Sequence, residues 1–491
     1  MGSEPGAWDD PTAATGWRQR IGWIVGISFL LMTLVVPPPA GLETAGWRTA
    51  GVTLLMATFW ICECIPIPAT ALLPLALFPL LGLGSIKDVA APFAHPLVFL
   101  FMGGFILALG MERWNLHRRL AIGLLSCMGT RQKRVIAGFL LASAFISMWV
   151  SNTATALMML PIAMSVIQLI PEENRTTMRP FMIALLLAVA YGATTGGMAT
   201  LIGTPPNALL AGYADKQLGI QLGFAQWMII GVPVALVSLT LVYWVLTRVS
   251  FRVSNDEMPG MAGLLAEQRQ QLGRFSRGEL IVAVVFITTA LGWVFQPLIA
   301  KQLPMLSDTV IAMIGALALF CIPVEPRRGV FAMDWQTAKR LPWDVLLLFG
   351  GGLSLAGAIE THKLAAWLGG LSGNLDVLPV VLVMAVIAFA ILMLTELTSN
   401  TATAATFLPV VAAVAIGMDC APLLFLIPTA LAANCSYMMP VGTPPNAIVF
   451  GSGLIRLPEM ARAGLLLNLL MVPVIVVLVM VLGKMAFGVS L

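Results

Sequence analysis

Ser151-Asn152-Thr153-Ala154-Thr155-Ala156 is a short polar run inside an apolar stretch, and the same six residues return as Ser399–Ala404. The offset is 248 residues, about half of the chain, and a proline follows each copy at the same distance, Pro161 and Pro409. A six-residue identity at this spacing indicates an internal repeat. The fold is therefore expected to consist of two related halves.

Further matches extend the repeat in both directions from this motif. Upstream, the segment from Phe101 to Leu116 matches that from Phe349 to Leu364 at the same offset. Downstream, Gly203-Thr204-Pro205-Pro206-Asn207-Ala208 returns as Gly442–Ala447, at an offset of 239 residues. The second half is thus nine residues shorter between its two motifs.

The composition predicts a membrane protein. Hydrophobic residues make up 59% of the 491 positions and charged residues 10%, whereas a soluble domain has roughly 25% charged residues. The mean hydropathy is +0.93. Long apolar segments recur along the whole chain, so we expect an all-α polytopic membrane protein.

The distribution of positive charge predicts a topology. A path with a cytoplasmic N-terminus, an outside C-terminus, about 11 transmembrane helices and two re-entrant helical hairpins leaves 21 of the 27 Lys and Arg residues on the cytoplasmic side. This bias agrees with the positive-inside rule. On this path the first Ser-Asn-Thr hairpin enters from the cytoplasm and the second from outside. Inverted repeats with interrupted helices are typical of secondary transporters.

Each Ser-Asn-Thr run is expected at the turn of a re-entrant hairpin. The flanking helical segments, 136–150 and 154–170, are too short for two full crossings of a bilayer. Their turn must be surrounded by protein or by a water-filled cavity. Ser151, Asn152 and Thr153 cap the helix that follows, and its N-terminus suits an anion. Residues 374–416 repeat the arrangement.

The two Gly-Thr-Pro-Pro-Asn runs are expected to interrupt apolar helices. Proline removes a backbone donor and breaks the hydrogen-bond ladder, which frees upstream carbonyl groups. Such carbonyls are good ligands for a small hard cation. One polar turn or one double proline can be merely structural, but four interruptions in two matched pairs favour a binding site.

Charge around the motifs indicates which ligands they bind. The segments 135–174 and 364–455 contain no Lys, Arg or His. Helix termini supply roughly half a charge each, which is less than a dianion needs. The hypothesis is that Na⁺ binds beside each Ser-Asn-Thr turn and makes anion binding cation-dependent.

The motifs resemble those of the divalent anion:sodium symporter (DASS) family, which includes sodium-coupled dicarboxylate and citrate carriers. Besides both Ser-Asn-Thr runs, three segments carry the likeness: Phe59–Pro74, Trp343–Gly352 and Pro440–Phe450. Asn434, Tyr437 and Gly442 depart from the residues more usual in that family, which are Ser, Phe and Ala.

The resemblance implies an elevator-type carrier that works as a homodimer, with Na⁺ as the coupling ion in two or more sites. Segments 112–127 and 360–373 would be the amphipathic arms between its scaffold and transport domains. The residues implied to contact substrate carboxylates are Ser151, Asn152, Thr153, Ser399, Asn400, Thr401 and Pro444. One implied sodium site consists of Ser147, Ser151, Asn152 and Gly203. The other consists of Thr395, Thr398, Asn400, Gly442 and Pro444.

The expected domain organisation follows the repeat. A cytoplasmic tail (1–20) precedes the first scaffold segment (21–130) and the first transport segment (131–250). A cytoplasmic loop (251–278) then leads to the second scaffold segment (279–373) and the second transport segment (374–491).

The leading functional hypothesis is sodium-coupled symport of C4-type dicarboxylates such as succinate, malate and fumarate across the cell inner membrane. Expected partners are a small dianion, the lipid bilayer and a second copy of the chain, without nucleic acid. One alternative is a sodium-independent dicarboxylate exchanger, and another is a symporter of sulfate or another divalent anion. A membrane enzyme would need a metal cluster, an activated nucleophile or a cofactor motif, none of which the sequence offers. The roles of two acidic residues remain open. For Glu63 the sequence favours a structural hydrogen bond over proton coupling. Glu396 either tunes the second cation site or caps its hairpin.

Overall fold

A computed structural model describes residues 11–371 and 378–488. Residues 1–10 of the expected tail lie outside the described residues. So do the expected boundary at 373/374, the end of the second arm, the start of the second hairpin segment, and residues 489–491.

Helices dominate the described residues, as the all-α prediction requires. Those of the first half are α1 (Pro11–Val35), α2 (Thr44–Cys62), α3 (Ile67–Ala71), α4 (Leu73–Leu80), α5 (Ile86–Ala90), α6 (Pro96–Arg113), α7 (Leu116–Met128), α8 (Gln132–Ser147), α9 (Asn152–Gln168), α10 (Arg179–Gly197), α11 (Pro205–Leu218) and α12 (Phe224–Trp244). A π-helical turn, Val245–Ser250, extends α12.

The helices α6–α12 have counterparts in the same order at the end of the second half. After α13 (Met261–Leu272), its helices are α14 (Arg277–Ile299), α15 (Asp308–Cys321), α16 (Trp335–Ala338), α17 (Trp343–Thr361), α18 (Leu364–Leu371), α19 (Val380–Thr395), α20 (Asn400–Gly417), α21 (Leu423–Ala433), α22 (Pro444–Phe450) and α23 (Leu457–Phe487). Short 3₁₀ helices cover Ala91–Ala94, Glu172–Asn174 and Pro326–Arg328. Strands β1 (Pro323–Glu325) and β2 (Val330–Phe331) pair antiparallel.

The chain is a multi-pass membrane protein. Within the described residues, 8 helical segments are long and apolar enough to cross a membrane. Five further apolar helices are shorter, and α9 and α19 are among them. The α20 helix meets the length and composition criteria although it is expected in a re-entrant hairpin. Helix length and composition do not test the expected number of about 11 membrane crossings, which therefore stays a prediction.

The expected cytoplasmic tail is helical where the structure describes it. Residues 11–20, expected as a tail, form the beginning of α1. Arg18 Nη2 donates to the carbonyl oxygen of Ile61 at 2.7 Å, and Gln19 Nε2 donates to that of Glu63 at 3.2 Å. These contacts hold the polar beginning of α1 against the end of α2. In the expected loop 251–278, α13 adds a helix, and α14 already begins at Arg277.

The two halves pack against each other in a reciprocal way. Helix α9 of the first hairpin contacts α22 of the second half, and α20 of the second hairpin contacts α11 of the first half. Helix α10 also contacts α22, and every residue of α10 from Phe181 to Gly197 is buried. The hairpins and the interrupted helices of the two halves therefore pack together as one unit.

The repeat includes the turns that lead into the expected arms. Asn115 (φ 57°) separates α6 from α7, and Lys363 (φ 57°) separates α17 from α18. Both residues are non-glycine in the left-handed region, and they are 248 positions apart. The same sharp turn thus starts each arm helix.

Arg119 anchors the first arm helix to α14. Its guanidinium bonds the buried Glu279 carboxylate at 2.8 Å and the carbonyl oxygens of Leu272, Gly273 and Arg274. The Glu279 side chain is 6% exposed. Removing one partner of a buried ion pair costs about 3–5 kcal/mol because the other charge stays buried.

We therefore expect Arg119→Gln to lower the apparent melting temperature of the purified protein by several degrees. The control is Arg118→Gln, because the neighbouring Arg118 donates to the side chain of Gln268 alone among the described contacts. Equal melting temperatures for the two variants would contradict an anchoring role of Arg119.

Candidate functional site

The first Ser-Asn-Thr motif lies at the turn between α8 and α9. Ser151 is the N-cap of α9, and its Oγ accepts a hydrogen bond from the backbone N–H of Ala154 at 3.2 Å. Asn152 is the first residue of the helix. The expected cap is thus present, and the start of α9 carries the partial positive charge of a helix N-terminus.

The second motif repeats this geometry with one difference. Ser399 is the N-cap of α20, but its side chain makes no capping hydrogen bond. Asn400 is the first residue of that helix. The Ser399 hydroxyl is therefore not committed to its own helix.

An equivalent hydrogen bond orients the asparagine in both motifs. Ser147 Oγ donates to Asn152 Oδ1 at 2.6 Å, and Thr395 Oγ1 donates to Asn400 Oδ1 at 2.6 Å. In each hairpin the hydroxyl residue lies five positions before the asparagine. Each pair brings two oxygen atoms together, which is an arrangement that suits a small cation.

The interruptions of the two helices lie upstream of their double prolines. Residues 198–204 form the first connecting segment, between α10 and α11. Residues 434–443 form the second connecting segment, between α21 and α22. The prolines are the first residues of α11 and α22. At these positions the missing N–H would have no helical partner anyway. The expectation that the prolines break the ladder themselves was therefore wrong, because they start the second helix segment.

The carbonyl groups before the prolines are partly engaged, which the sequence reasoning missed. Asn207 Nδ2 donates to the carbonyl oxygens of Gly197, Met198 and Thr200, the last at 2.9 Å. Asn446 Nδ2 likewise donates to those of Ser436 and Met439. The signal was the final Asn of each Gly-Thr-Pro-Pro-Asn run, whose amide holds the connecting segment in place.

The first hairpin tip and the first connecting segment are in close contact. A Cβ atom at Gly197 would lie 2.7 Å from Asn152 Oδ1, and one at Gly203 would collide with the carbonyl oxygen of Gly197. Only glycine allows this approach. The structure therefore brings together Ser147, Asn152 and Gly203, three of the residues implied for the first cation site.

The second hairpin approaches its connecting segment in the same way. Thr395 Oγ1 lies 2.9 Å from the carbonyl oxygen of Ala433 as well as beside Asn400. A Cβ atom at Gly442 would lie 3.3 Å from the carbonyl oxygen of Glu396. The Thr398 hydroxyl bonds within the hairpin, to Leu394 O at 2.9 Å and Thr403 Oγ1 at 2.7 Å.

Glu396 binds the second connecting segment. Its carboxylate accepts the backbone N–H groups of Tyr437, Met438 and Met439 at 2.7–3.1 Å. It also accepts from Ser436 Oγ at 3.1 Å and from Asn468 Nδ2 at 2.6 Å. These donors satisfy the oxygen atoms of a buried carboxyl group without a basic side chain. Its carboxylate therefore fixes the shape of the segment that leads to Gly442.

A cavity of about 640 Å³ lies between the two hairpin tips. Its wall includes every residue expected to contact substrate, namely Ser151, Asn152, Thr153, Ser399, Asn400, Thr401 and Pro444. Gly203 and Gly442 line it as well. Ser147, Thr395 and Thr398 are buried and do not line it.

The wall of the cavity is polar but carries no positive side chain. Among the described residues, its ionisable members are Glu63 and Asp344, both exposed. Arg18 approaches the second tip from beyond this wall, where it donates to the carbonyl oxygen of Leu397 at 3.1 Å. The sequence did not predict this contact, because Arg18 and Leu397 are 379 positions apart. Glu63 has φ 50° and ends α2, with its N–H bonded to Phe59 O.

The donor set around the tips fits a hard monovalent or divalent cation rather than a transition metal. Within residues 11–371 and 378–488, no group of three or more His, Cys, Asp or Glu is placed to hold a metal ion. Hydroxyl, amide and carbonyl oxygens surround each tip instead, and such ligands favour hard cations.

A family model described as the sodium:sulfate symporter transmembrane region matches residues 18–489 of the chain. The chain belongs to the divalent anion:sodium symporter family. Among its curated relatives are proteins named sodium-dependent dicarboxylate transporter SdcS. The chain is 41% identical to that of Staphylococcus saprophyticus over 481 residues, and 40% identical to that of Staphylococcus aureus strain USA300 over 484. Each match covers 96% of this chain and 93% of the relative.

Solved structures of low sequence identity support the fold of this family member. The Alcanivorax borkumensis YdaH transporter superposes with a TM-score of 0.58 at 12% identity, covering 96% of this chain and 98% of that one. Neisseria gonorrhoeae MtrF gives the same TM-score and identity and covers 94% of each chain. At this identity the likeness concerns the fold alone.

Gly203→Ala is expected to lower the apparent melting temperature by a few degrees, because its Cβ would meet the Gly197 backbone. Such overpacking costs about 1–3 kcal/mol. The matched control is Gly123→Ala inside α7, since a Cβ atom at Gly123 would meet nothing within 4 Å. Thermal unfolding monitored by tryptophan fluorescence compares the two variants, and an unchanged Gly203→Ala would show that the tip and the segment are not tightly packed.

Proposed function

We propose that the protein is a secondary transporter that couples Na⁺ to the symport of C4-type dicarboxylates, such as succinate, malate and fumarate, across the cell inner membrane. The observation that carries the proposal is that two equivalent Ser-Asn-Thr tips face one cavity whose described wall lacks a basic side chain. The names of the relatives, which are called sodium-dependent dicarboxylate transporters, support it.

The shape of the site favours a molecule with a carboxylate at each end. Each tip offers hydroxyl and amide groups together with the N-terminus of a helix, α9 or α20. One carboxylate can bind at each tip, since helix N-termini and side-chain donors both stabilise anions. We assign Ser151, Asn152 and Thr153 to one carboxylate, and the equivalent residues of the second motif with Pro444 to the other.

Electrostatics makes the bound anion depend on cations. Two helix N-termini supply about one positive charge in total, and Glu63 and Asp344 add negative charge to the wall. A dianion therefore remains under-compensated in a cavity whose described wall has no basic side chain. Na⁺ beside Asn152 and Na⁺ beside Asn400 would supply the missing charge, held by the oxygen atoms that surround each asparagine.

The proposed mechanism is an elevator motion within a homodimer. The hairpins with α10–α12 and α21–α23 would move as the transport domain, and the remaining membrane helices would form the scaffold. The arm helices α7 and α18 would connect the two. With a cytoplasmic N-terminus and an outside C-terminus, Glu63, Pro342 and Asp344 lie at cytoplasmic helix ends. The cavity they line would then open to the cytoplasm, which corresponds to the inward-facing state.

Removing either tip asparagine tests the site. Asn152→Ala and Asn400→Ala are each expected to reduce uptake of labelled succinate into proteoliposomes about 10- to 100-fold, because a hydrogen bond to a charged group contributes about 1.5–3 kcal/mol. Expression should change little, since each change removes donors at a turn rather than core volume. Asn174→Ala, the same change in an exposed 3₁₀ helix, is the control. Wild-type rates in either tip variant would refute the site assignment.

Ion replacement separates the proposal from an exchanger. Uptake into vesicles loaded with buffer alone should require a sodium gradient and should fall to background when choline replaces sodium. Equal uptake in choline would exclude sodium coupling. Counterflow of succinate without sodium, combined with the absence of net uptake into empty vesicles, would identify a sodium-independent exchanger.

Sulfate is the second candidate substrate, because the matching family model is described by sodium:sulfate symport. We expect excess sulfate to leave uptake of labelled succinate unchanged, since a tetrahedral anion has no second carboxylate to bind at the other tip. Strong competition by sulfate would favour a symporter of sulfate or another divalent anion.

A further inference from the structure

The side chain of Asn434 joins the two interrupted helices. Asn434 directly follows α21 and is 1% exposed. Thr204 Oγ1 donates to Asn434 Oδ1 at 2.7 Å, and Asn434 Nδ2 donates to Asn207 Oδ1 at 3.0 Å. Thr204 and Asn207 belong to the first half of the repeat. A single amide therefore uses both of its ends to hold the other half.

On the first-half side, this bridge ends at the first proposed cation site. Thr204 directly follows Gly203, which is packed against Gly197 beside Asn152. Asn207 holds the carbonyl oxygens of the same connecting segment. A shift of Asn434 would therefore move the backbone that lies against Asn152.

On the second-half side, the bridge begins at the second proposed cation site. Thr395 has one hydroxyl proton but two acceptors, Asn400 Oδ1 at 2.6 Å and Ala433 O at 2.9 Å. A cation bound to Asn400 Oδ1 would repel this proton, which would then bond Ala433 O instead. Cation binding at the second tip would thus strengthen the hydrogen bond to Ala433, the residue that immediately precedes Asn434.

We propose that Asn434 is a positioning residue that couples the two cation sites, so that occupancy of one raises the affinity of the other. The inference rests on the proposed function. Coupling of this kind is reciprocal, and it commonly changes affinity by about 5- to 150-fold. Serine, the residue more usual here in the family, has a shorter side chain with one polar atom, which cannot reach both Thr204 and Asn207.

The test measures the sodium dependence of succinate uptake in proteoliposomes. The unaltered protein should respond to sodium with a Hill coefficient above one. Asn434→Ala should lower the Hill coefficient towards one and raise the half-saturating sodium concentration about fivefold or more. Thr204→Val, which removes one hydroxyl donor from the bridge, should change both quantities in the same direction. The double variant should be no worse than Asn434→Ala, since both changes break one bridge.

Tyr437→Phe is the matched control from the same connecting segment. The Tyr437 hydroxyl also bonds the other half, at 2.9 Å from Thr195 Oγ1, but it touches neither Thr204 nor Asn207 among the described hydrogen bonds. We expect its sodium curve to match that of the unaltered protein. An equal fall of the Hill coefficient in Tyr437→Phe would mean that the loss of any hydrogen bond between the halves weakens the coupling. That result would overturn the specific role of Asn434.

The possible failures can be distinguished. Sodium-independent uptake by the unaltered protein would refute the proposed function. Sodium-dependent uptake with a Hill coefficient of one, or a steep curve retained by Thr204→Val and Asn434→Ala, would overturn the coupling alone. If Asn434→Ala does not fold, Thr204→Val decides the question, because it keeps the volume of the side chain.

Discussion

A helix that stops inside a membrane must hydrogen-bond its own free backbone groups within the protein, because lipid offers neither donors nor acceptors. This chain meets that constraint at two hairpin tips and two connecting segments. Asn207 and Asn446 bond the carbonyl groups of the connecting segments. Glu396 bonds the N–H groups of the second segment. These contacts hold irregular backbone in a fixed shape around the cavity.

The two halves meet the same constraint with different chemistry. Met148 occupies the position in the first hairpin that Glu396 occupies in the second. There, Thr200 Oγ1 donates to the carbonyl oxygen of Met148 at 2.6 Å, and Trp227 Nε1 donates to that of Met198 at 3.0 Å. The second segment is therefore fixed by a buried carboxyl group and the first by neutral hydroxyl and indole groups.

The repeat allowed much of the candidate site to be predicted from the sequence, although substrate contact itself stays a prediction. Because the motifs occur in matched pairs, the two tips had to be equivalent, and the seven residues expected to contact substrate do line one cavity. The sequence could not predict contacts between distant segments. Arg18 reaches Leu397 across 379 positions, and Asn434 reaches Thr204 across 230. Such contacts depend on how the two halves pack, which a local sequence pattern does not determine.

The position of the prolines was misjudged for a local reason. A double proline can end one helix or begin the next, and the sequence alone does not distinguish these cases. The start of α11 at Pro205 and of α22 at Pro444 decides for the second case. The irregular backbone consequently lies before the prolines, beside Asn152 and Asn400, where the cations are proposed to bind.

In the proposed site, mobile cations rather than basic side chains neutralise the bound dianion. A cryo-EM structure of the protein with succinate in sodium buffer would test this proposal. We expect the ligand carboxylates to contact the serine, asparagine and threonine groups of both tips, with density for a cation beside each asparagine. A guanidinium or ammonium group bonded to the ligand, such as that of Arg18, would contradict it.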